Sequence, residues 1–373
     1  MQGGANWISA ASVAVLCVAI ALVPSPAGVS SDVGKTVLAK VVSVDDSAVR
    51  LAGSVEYGTQ LMEVEILRGD CAGRRFRAEN EIRAQLDIDK KFRPGDIAVV
   101  GDPSEASAGA PLLARDHWRL GWATALFVAF AVLLCAFGGW TGVKALLSFV
   151  FSCLAVWKVL VPLCLEGHSA SLVSFVTVAT LTAAVMLLVA GATKKGLAAF
   201  LGAMLGVASS FGLAALFTSL MHVTGATLPY VQALLNSGYP DLDLADIFVG
   251  ATVLASSGAV MDLAMDISAG QCEVAMHDPS IGFRRLLASG LRMGRAVVGT
   301  MTTTLLLAYS GGYLTLLMAF AAQGTSPMAF LNSTLLSAEL VKTIVGSFGL
   351  VLVAPFTALA GAVIHGKNHD TGR

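Results

Sequence analysis

Apolar stretches long enough to cross a bilayer alternate with short polar segments along most of the chain. The first runs from Trp7 to Val23, and further ones follow from Leu120 onward. These cover approximately residues 120–138, 143–165, 170–192, 197–221, 245–264, 296–320 and 343–364. Each stretch is near the roughly 20 residues that a transmembrane helix needs. The pattern predicts a mainly α, polytopic membrane bundle of about eight transmembrane helices.

A different pattern occupies residues 30–116, where apolar and polar positions alternate in short runs. Examples are Thr36–Val44, Leu61–Leu67 and Ile97–Val100, with turn signals such as Gly53 and Gly58 between the runs. Period-two alternation interrupted by turns is typical of β-strands with one buried face. The segment therefore predicts a small, compact, barrel-like β domain, and its charges are those of solvated strand faces.

The two patterns divide the chain into three parts. Residues 1–29 form a transmembrane signal anchor or a cleaved signal peptide, and the absence of Lys and Arg before the apolar run argues against cleavage. Residues 30–116 form the β domain. Residues 117–373 form a transmembrane bundle of about seven helices.

Composition supports a membrane protein and excludes several other classes. Hydrophobic residues make up 55% and charged residues 13% of the chain, whereas charged residues are about a quarter of an ordinary soluble protein. The net charge of -1 gives no excess of positive charge that would bind nucleic acid. No phosphate-binding loop, dinucleotide fingerprint or zinc-protease motif occurs in a usable context, so no cofactor is expected.

Charge asymmetry between the loops predicts the orientation of the bundle. With the amino terminus inside, the outer loops 166–169, 222–244 and 321–338 contain no Lys or Arg. The inner segments contain Lys144, Lys194, Lys195, Arg284, Arg285, Arg292, Arg295, Lys367 and Arg373. Basic residues favour the cytoplasmic side. We therefore expect a multi-pass protein of the plasma membrane, with both termini cytoplasmic and the β domain extracytoplasmic.

Cysteines and candidate metal ligands suggest little chemistry of their own. Five of the six cysteines lie in or beside apolar segments, which leaves Cys71 alone in the polar stretch. Such residues are expected as small buried hydrophobes. His222 and the carboxylates Asp241, Asp243 and Asp246 lie in one outer loop, but their spacing is too loose to predict a metal site.

Four ordered motifs resemble one family. They are Gly258–Asp262; Asp278-Pro279 with Ser289-Gly290 and Met293–Arg295; Gly299–Thr302 running into Thr304–Leu306 and Ala308-Tyr309; and Gly346–Leu352 leading to Pro355. Together they resemble the YibE/F-like integral membrane proteins of bacteria. The resemblance implies a membrane protein of the permease type, with an exported β module before the bundle.

The chain also departs from that family pattern. Ala296 stands where the family has an acid, Thr303 where it has an Asn, and Asp266 where it has a small neutral residue. The resemblance therefore implies that the pair of Asp262 and Asp266 is peculiar to this chain.

The two carboxylates are the leading candidates for chemistry. Gly258, Asp262 and Asp266 succeed one another every four residues, so they share one helix face. Counted from Ala245, Asp262 lies about 25 Å and Asp266 about 30 Å along the axis. Asp262 is thus either a functional intramembrane acid or the partner of Arg292 or Arg295. Asp266 is expected at the interface. A polar cavity around Asp262 would support an ion site, and lipid exposure would exclude one.

Other polar residues in the apolar segments have two interpretations each. Lys158 either snorkels to the interface or acts as a counter-ion. Glu339 and Lys342, three residues apart, predict a local ion pair. Thr300, Thr302 and Thr303 either bond their own helix backbone or line a polar path with Tyr309 near the Gly311-Gly312 break. Most glycines, including Gly202 and Gly206, predict close helix packing.

These features leave competing functions. The first is secondary transport of an unspecified small solute or ion, with Asp262 binding a proton or cation. The alternative is a membrane-anchored protein that binds an envelope component or assembles through its β domain, with an envelope protein or a second copy as partner. An intramembrane hydrolase ranks lowest because both acids lie on one helix, so we expect no enzyme. The sequence does not specify a substrate.

Overall fold

A computed structural model describes residues 2–22, 35–105 and 109–366. It forms two compact units, one of residues 27–133 and one of residues 1–26 together with 134–373. The predicted cleavage region after Val23 and the basic residues Lys367 and Arg373 lie outside the described residues.

Six strands build the unit of residues 27–133. They are β1 (Thr36–Asp45), β2 (Val49–Ala52), β3 (Val55–Ile66), β4 (Arg75–Arg83), β5 (Ile97–Gly101) and β6 (Leu112–His117). The order is β1-β5-β6-β4-β3-β2, and β1 also pairs with β3, which closes five strands into a ring. Alternate inward residues such as Val41, Val64 and Val100 form its core. The small β domain is confirmed, and the ring gives it the predicted barrel-like form.

A buried amide connects the barrel wall to the loop before β5. Gln60 Nε2 donates to the carbonyl of Phe92 at 3.1 Å and to Asp46 at 2.8 Å. Gln60 Oε1 accepts from the Phe92 N–H at 2.9 Å and from Asn80 at 3.3 Å. Gln60 has no exposed surface, and these bonds satisfy it as a buried polar group requires.

Helices make up the rest of the described chain. They are α1 (Gln2–Ala21), α2 (Leu120–Ala155), α3 (Val161–Leu165), α4 (Ala170–Val189), α5 (Lys194–Leu220), α6 (Val231–Asn236), α7 (Leu244–His277), α8 (Phe283–Gly312), α9 (Leu314–Ala322), α10 (Pro327–Leu331) and α11 (Thr334–His365). A π-helical turn, Val156–Leu160, joins α2 to α3. The predicted mainly helical class is confirmed.

Fewer helices qualify as membrane spans than the sequence predicts. Among the described residues, five are long and apolar enough to cross a membrane, or six if α8 and α9, which meet at 61°, form one span. α1 contributes only the shorter apolar stretch Ala10–Ala21. The predicted stretches 120–138 and 143–165 count as a single candidate span, Leu120–Leu165, although the helix is interrupted at Gly139. The count of eight is therefore not reproduced.

A sharp turn inside α2 accounts for part of that difference. Gly139 has non-helical backbone angles of φ 53° and ψ -131°. A Cβ on Gly142 would clash with the carbonyl oxygen of Leu134, although eight residues of straight helix rise about 12 Å. The chain thus doubles back between Leu134 and Gly142, where the sequence predicts a loop between two spans.

Five long helices enclose the core of the helical unit. Buried apolar residues of α4, α5, α7, α8 and α11, among them Val207, Val260, Leu305 and Val353, form one cluster. Glycines allow the helices to approach closely, because a Cβ on Gly202 would clash with Thr357 of α11. A Cβ on Gly206 would likewise crowd the side chains of Val260 and Val353. These contacts confirm the predicted packing role of both glycines.

Two of these helices extend well beyond their apolar segments. α7 continues to His277 rather than ending near residue 264, because Ile267, Ser268 and Gln271 remain buried against neighbouring helices. α11 begins at Thr334 rather than near residue 343. Asp262 and Asp266 are therefore inside α7 and not near its end.

Candidate functional site

The predicted acidic pair lies on the surface of the helical unit. Gly258, Asp262 and Asp266 are all exposed, on the one face of α7 that its neighbours leave uncovered. A Cβ on Gly258 would meet nothing within 4 Å. Neither carboxylate forms an ion pair within the described residues. Asp262 is therefore not the ion-pair partner of Arg292 or Arg295. Ion binding by Asp262 stays a prediction, on a face open to the surroundings.

The threonines of α8 bond to their own helix. Thr300, Thr302 and Thr303 donate to the carbonyls of Val297, Val298 and Gly299 at 2.9, 2.8 and 3.1 Å. Thr302 and Thr303 also line an open groove of about 420 Å³ between α8 and α11. The walls of this groove are mostly apolar, with Leu306, Ile344, Phe348 and Val351 among them.

Tyr309 and Glu339 lie toward the same end of the bundle. Glu339 accepts a bond of 2.9 Å from Lys342, which is the ion pair that the spacing predicts. The Lys342 ammonium lies 5.5 Å from the centre of the Phe248 ring, and Glu339 acts electrostatically on Tyr309. Lys158 is separate from this group, half-buried in the π-helical turn.

Two of the carboxylates between residues 241 and 246 have structural roles. Asp246 accepts from the Ser169 hydroxyl at 2.9 Å and the Ser171 N–H at 3.1 Å, which fixes the start of α4. Asp243 caps α7. His168, rather than His222, lines the pocket that contains Asp241, Asp243 and Asp246. No group of three or more potential metal ligands occurs among the described residues.

Seven side-chain oxygens of the helical unit are buried without a hydrogen-bond partner among the described residues. Two of them belong to Thr218 and Thr227, and the other five belong to residues on α11 or packed against it. Ser210, Thr357 and Gln271 have no exposed surface, and Thr343 is 5% exposed. Among those five, the unpartnered atoms are the three hydroxyls, Gln271 Oε1 and the Tyr309 hydroxyl. Buried polar atoms of this kind are rare because lost hydrogen bonds with water are not replaced. We call these five residues the polar column.

The polar column follows α11 from Thr343 to Gly361. Thr343 and Thr357 belong to α11 itself, and Tyr309 approaches it at Gly346. Ser210 of α5 lies against Gly349, and Gln271 of α7 lies against Gly361. From Thr343 to Gly361 the helix rises about 27 Å. That distance is close to the hydrocarbon thickness of a bilayer, about 30 Å.

A close apolar contact divides the polar column. Between Ser210 and Thr357, Gly206 packs against Val260 and Val353 so closely that a Cβ on the glycine would lie 3.0 and 2.9 Å from their side chains. Both valines have no exposed surface. The Thr343 end, with Tyr309 and Ser210, is therefore separated from the Gln271 end, with Thr357.

Sequence reasoning found one member of the polar column and overlooked the others. Tyr309 is a candidate in the sequence because of the adjacent Gly311-Gly312 break, whereas no sequence pattern singled out the other four residues. A signal was nevertheless available: Gly346, Gly349, Thr357 and Gly361 recur on one side of α11. A helix face of small and hydroxyl residues indicates which side approaches other polar helices.

Comparison with known proteins gives one match. A family model described as YibE/F-like protein matches residues 126–367, which contain α3 to α11 and most of α2. No curated protein and no solved structure matches the chain. The matched region contains the whole polar column.

Proposed function

The chain belongs to the YibE/F-like family, and from this premise we propose that its bundle is a transporter for a small polar solute or ion in the bacterial plasma membrane. The passage would run along the polar column between α5, α7, α8 and α11. The observation that carries the proposal is the set of five buried, unpartnered oxygens distributed along α11. On this proposal the chain is not an enzyme.

The chemistry of the polar column supports a passage more than a purely structural role. Polar side chains that hold membrane helices together do so by bonding across the interface. The Ser210, Thr343 and Thr357 hydroxyls have no such bond in the described residues, and they lack even a bond to their own backbone. Oxygens held in this way are suited to replace the hydration of a passing solute or cation.

The apolar contact at Gly206, Val260 and Val353 fits the same function. A transporter must separate the two sides while its site faces only one of them, and hydrophobic constrictions provide such a barrier. This apolar contact separates the two parts of the polar column. A small movement of α11 against α5 would be enough to connect them. The glycine at this contact allows that movement without displacing a side chain.

Aqueous access to the polar column is the first test. In a chain whose native cysteines are replaced by Ala, Ser210→Cys and Thr357→Cys would be treated with a membrane-impermeant thiol reagent in sealed vesicles. Thiols react as thiolates, which form in water and not in lipid or a dry core. We expect Ser210→Cys to be labelled from one side of the membrane and Thr357→Cys from the other.

Ala208→Cys is the matched control, because Ala208 lies two residues from Ser210 on the exposed face of α5. We expect Ser210→Cys to react about tenfold faster than this control. Equal, slow labelling at all three positions would mean a dry, structural core, and the proposal would fail.

Flux provides a second, independent test. Val353→Ser places a hydroxyl at the apolar contact and should raise passive proton entry into proteoliposomes, measured with an internal pH-sensitive dye. Val351→Ser on the exposed face of α11 is the control and should leave the flux unchanged. An equal effect of both substitutions would place the leak outside the polar column.

A further inference from the structure

The first half of α8 presents a row of arginines to the surroundings. Arg284, Arg285, Arg292 and Arg295 are all exposed. The apolar stretch of the same helix begins directly after them, at Ala296. Basic residues at the end of an apolar span lie at the level of the lipid headgroups.

Three of these arginines share a groove with apolar side chains. Arg285, Arg292 and Arg295 line a space of about 630 Å³, together with Val274 of α7, Ile281 of the connecting loop and Leu291 of α8. Arg284 is not among the residues that line it. One site thus combines guanidinium groups with an apolar wall.

The described residues leave the guanidinium groups of this groove without a carboxylate partner within 4 Å. Asp278 acts electrostatically on Arg285. Its carboxylate, however, accepts from the Ser280 hydroxyl at 2.6 Å and the Ser280 N–H at 3.0 Å. These Ser280 bonds, followed by Arg285, lower the pKa of Asp278. The positive charge of the groove is therefore not neutralised by an ion pair.

We propose that this arginine groove binds the phosphate of an anionic phospholipid, with its glycerol region against Leu291 and its acyl chains continuing along the apolar stretch of α8 that begins at Ala296. Guanidinium groups bind phosphate oxygens in pairs of parallel hydrogen bonds. Basic pockets beside membrane helices attract anionic headgroups. The apolar wall favours a lipid over a soluble phosphate, because a free anion gains nothing from apolar contacts.

Native mass spectrometry of the full chain in detergent tests the proposal directly. Phosphatidylglycerol would be compared with phosphatidylcholine, which has the same acyl chains and no net charge. We expect phosphatidylglycerol to be retained on the wild-type chain and phosphatidylcholine not to be. Arg292→Gln and Arg295→Gln should each weaken phosphatidylglycerol binding about fivefold, from the loss of one cation near the headgroup.

Arg284→Gln is the matched control, since it removes the same charge from the same helix outside the groove. It should bind phosphatidylglycerol like the wild type, and Arg292→Lys should recover part of the affinity lost in Arg292→Gln. Equal losses in Arg284→Gln and Arg292→Gln would mean diffuse surface attraction and would overturn the proposal. Equal retention of phosphatidylcholine would overturn it as well. Displacement of phosphatidylglycerol by millimolar inorganic phosphate would assign the groove to a soluble anion instead.

Discussion

A buried glutamine side chain is fully hydrogen-bonded in the β unit and only partly hydrogen-bonded in the helical unit. Every polar atom of the Gln60 side chain is bonded, and its four bonds hold Phe92 and Asn80 in the barrel. Gln271 of α7 donates to the carbonyls of Leu286 and Ala358 at 3.1 and 2.9 Å, but its Oε1 has no partner among the described residues. A satisfied amide stabilises a fold, whereas an unsatisfied one offers a binding group.

Gln60→Ala should strongly destabilise the β barrel. The substitution leaves the N–H and carbonyl of Phe92 without partners, and each buried unsatisfied group costs about 1–3 kcal/mol. We expect a total loss of about 2–4 kcal/mol, with faster amide hydrogen exchange in residues 88–95 of the full chain. Gln85→Ala, at an exposed position, is the control and should change stability by less than about 0.5 kcal/mol. Equal exchange in both variants would show that the Gln60 bonds do not hold this loop.

Asp89 should make the β4–β5 loop sensitive to acid. The N–H of Arg83 donates to its carboxylate at 2.9 Å and the N–H of Gln85 at 2.7 Å, and the Arg83 bond chiefly lowers the Asp89 pKa. A lowered folded pKa contributes stability that is present above the unfolded value, about 3.9, and is lost as pH falls through the folded value. Asp89→Asn should therefore lower the thermal midpoint of the β unit at pH 7 and have little further effect at pH 2.

The exposed neighbour Asp87 provides the comparison for this pH dependence. Asp87→Asn should leave the midpoint unchanged at pH 7. A constant difference between Asp89→Asn and the wild type from pH 7 to pH 2 would show that protonation of Asp89 does not weaken the loop.

The sequence predicts a residue's role when that role depends only on neighbours in the same helix. The ion pair of Glu339 and Lys342 followed from a spacing of three residues on one helix. The environment of Asp262 did not follow, because its own helix does not determine which face α4, α5, α8 and α11 cover. Ser210 and Thr357 belong to different helices, and their common position beside α11 depends on tertiary packing that periodicity does not encode.

At the scale of elements, hydropathy located the apolar helices but not their ends. α7 and α11 extend past their apolar stretches because small and polar residues such as Ser268 and Gln271 are buried between helices rather than exposed to water. A hydropathy window ends a span at such residues. The turn at Gly139 was predictable, since two adjacent glycines interrupt the apolar pattern there.

Packing of α5 against α11 should depend on Gly202 and not on Gly212. A Cβ at Gly202 would lie 2.6 Å from the Thr357 Cα, which is backbone that cannot rotate away. Gly202→Ala should therefore destabilise the bundle by about 1–3 kcal/mol in a denaturant titration followed by circular dichroism. Gly212→Ala on the same helix meets nothing within 4 Å and should be neutral or stabilising by up to about 1 kcal/mol. Destabilisation by both substitutions to the same extent would attribute the effect to α5 itself and not to its contact with α11.

On the scale of the whole molecule, the two units allow the competing functions to be separated. The core of the β unit consists of residues between Val37 and Ala114, and the main core of the helical unit lies between Phe175 and Ala358. Each core contains only residues of its own unit. The transport proposal depends on the helical unit, whereas the alternative role as an envelope-binding protein depends on the β unit.

Removal of residues 30–116 should therefore leave the polar column intact. In the deleted chain we expect Ser210→Cys to be labelled at the rate found in the full-length chain, because the five residues of the polar column and the main core of the helical unit are retained. The full-length Gln60→Ala variant is the companion, since it perturbs the β unit without shortening the chain. If labelling in both fell to the rate of the Ala208→Cys control, the passage would require a folded β unit. The helical unit alone would then not be sufficient for transport, and the binding role of the β unit would become the better hypothesis.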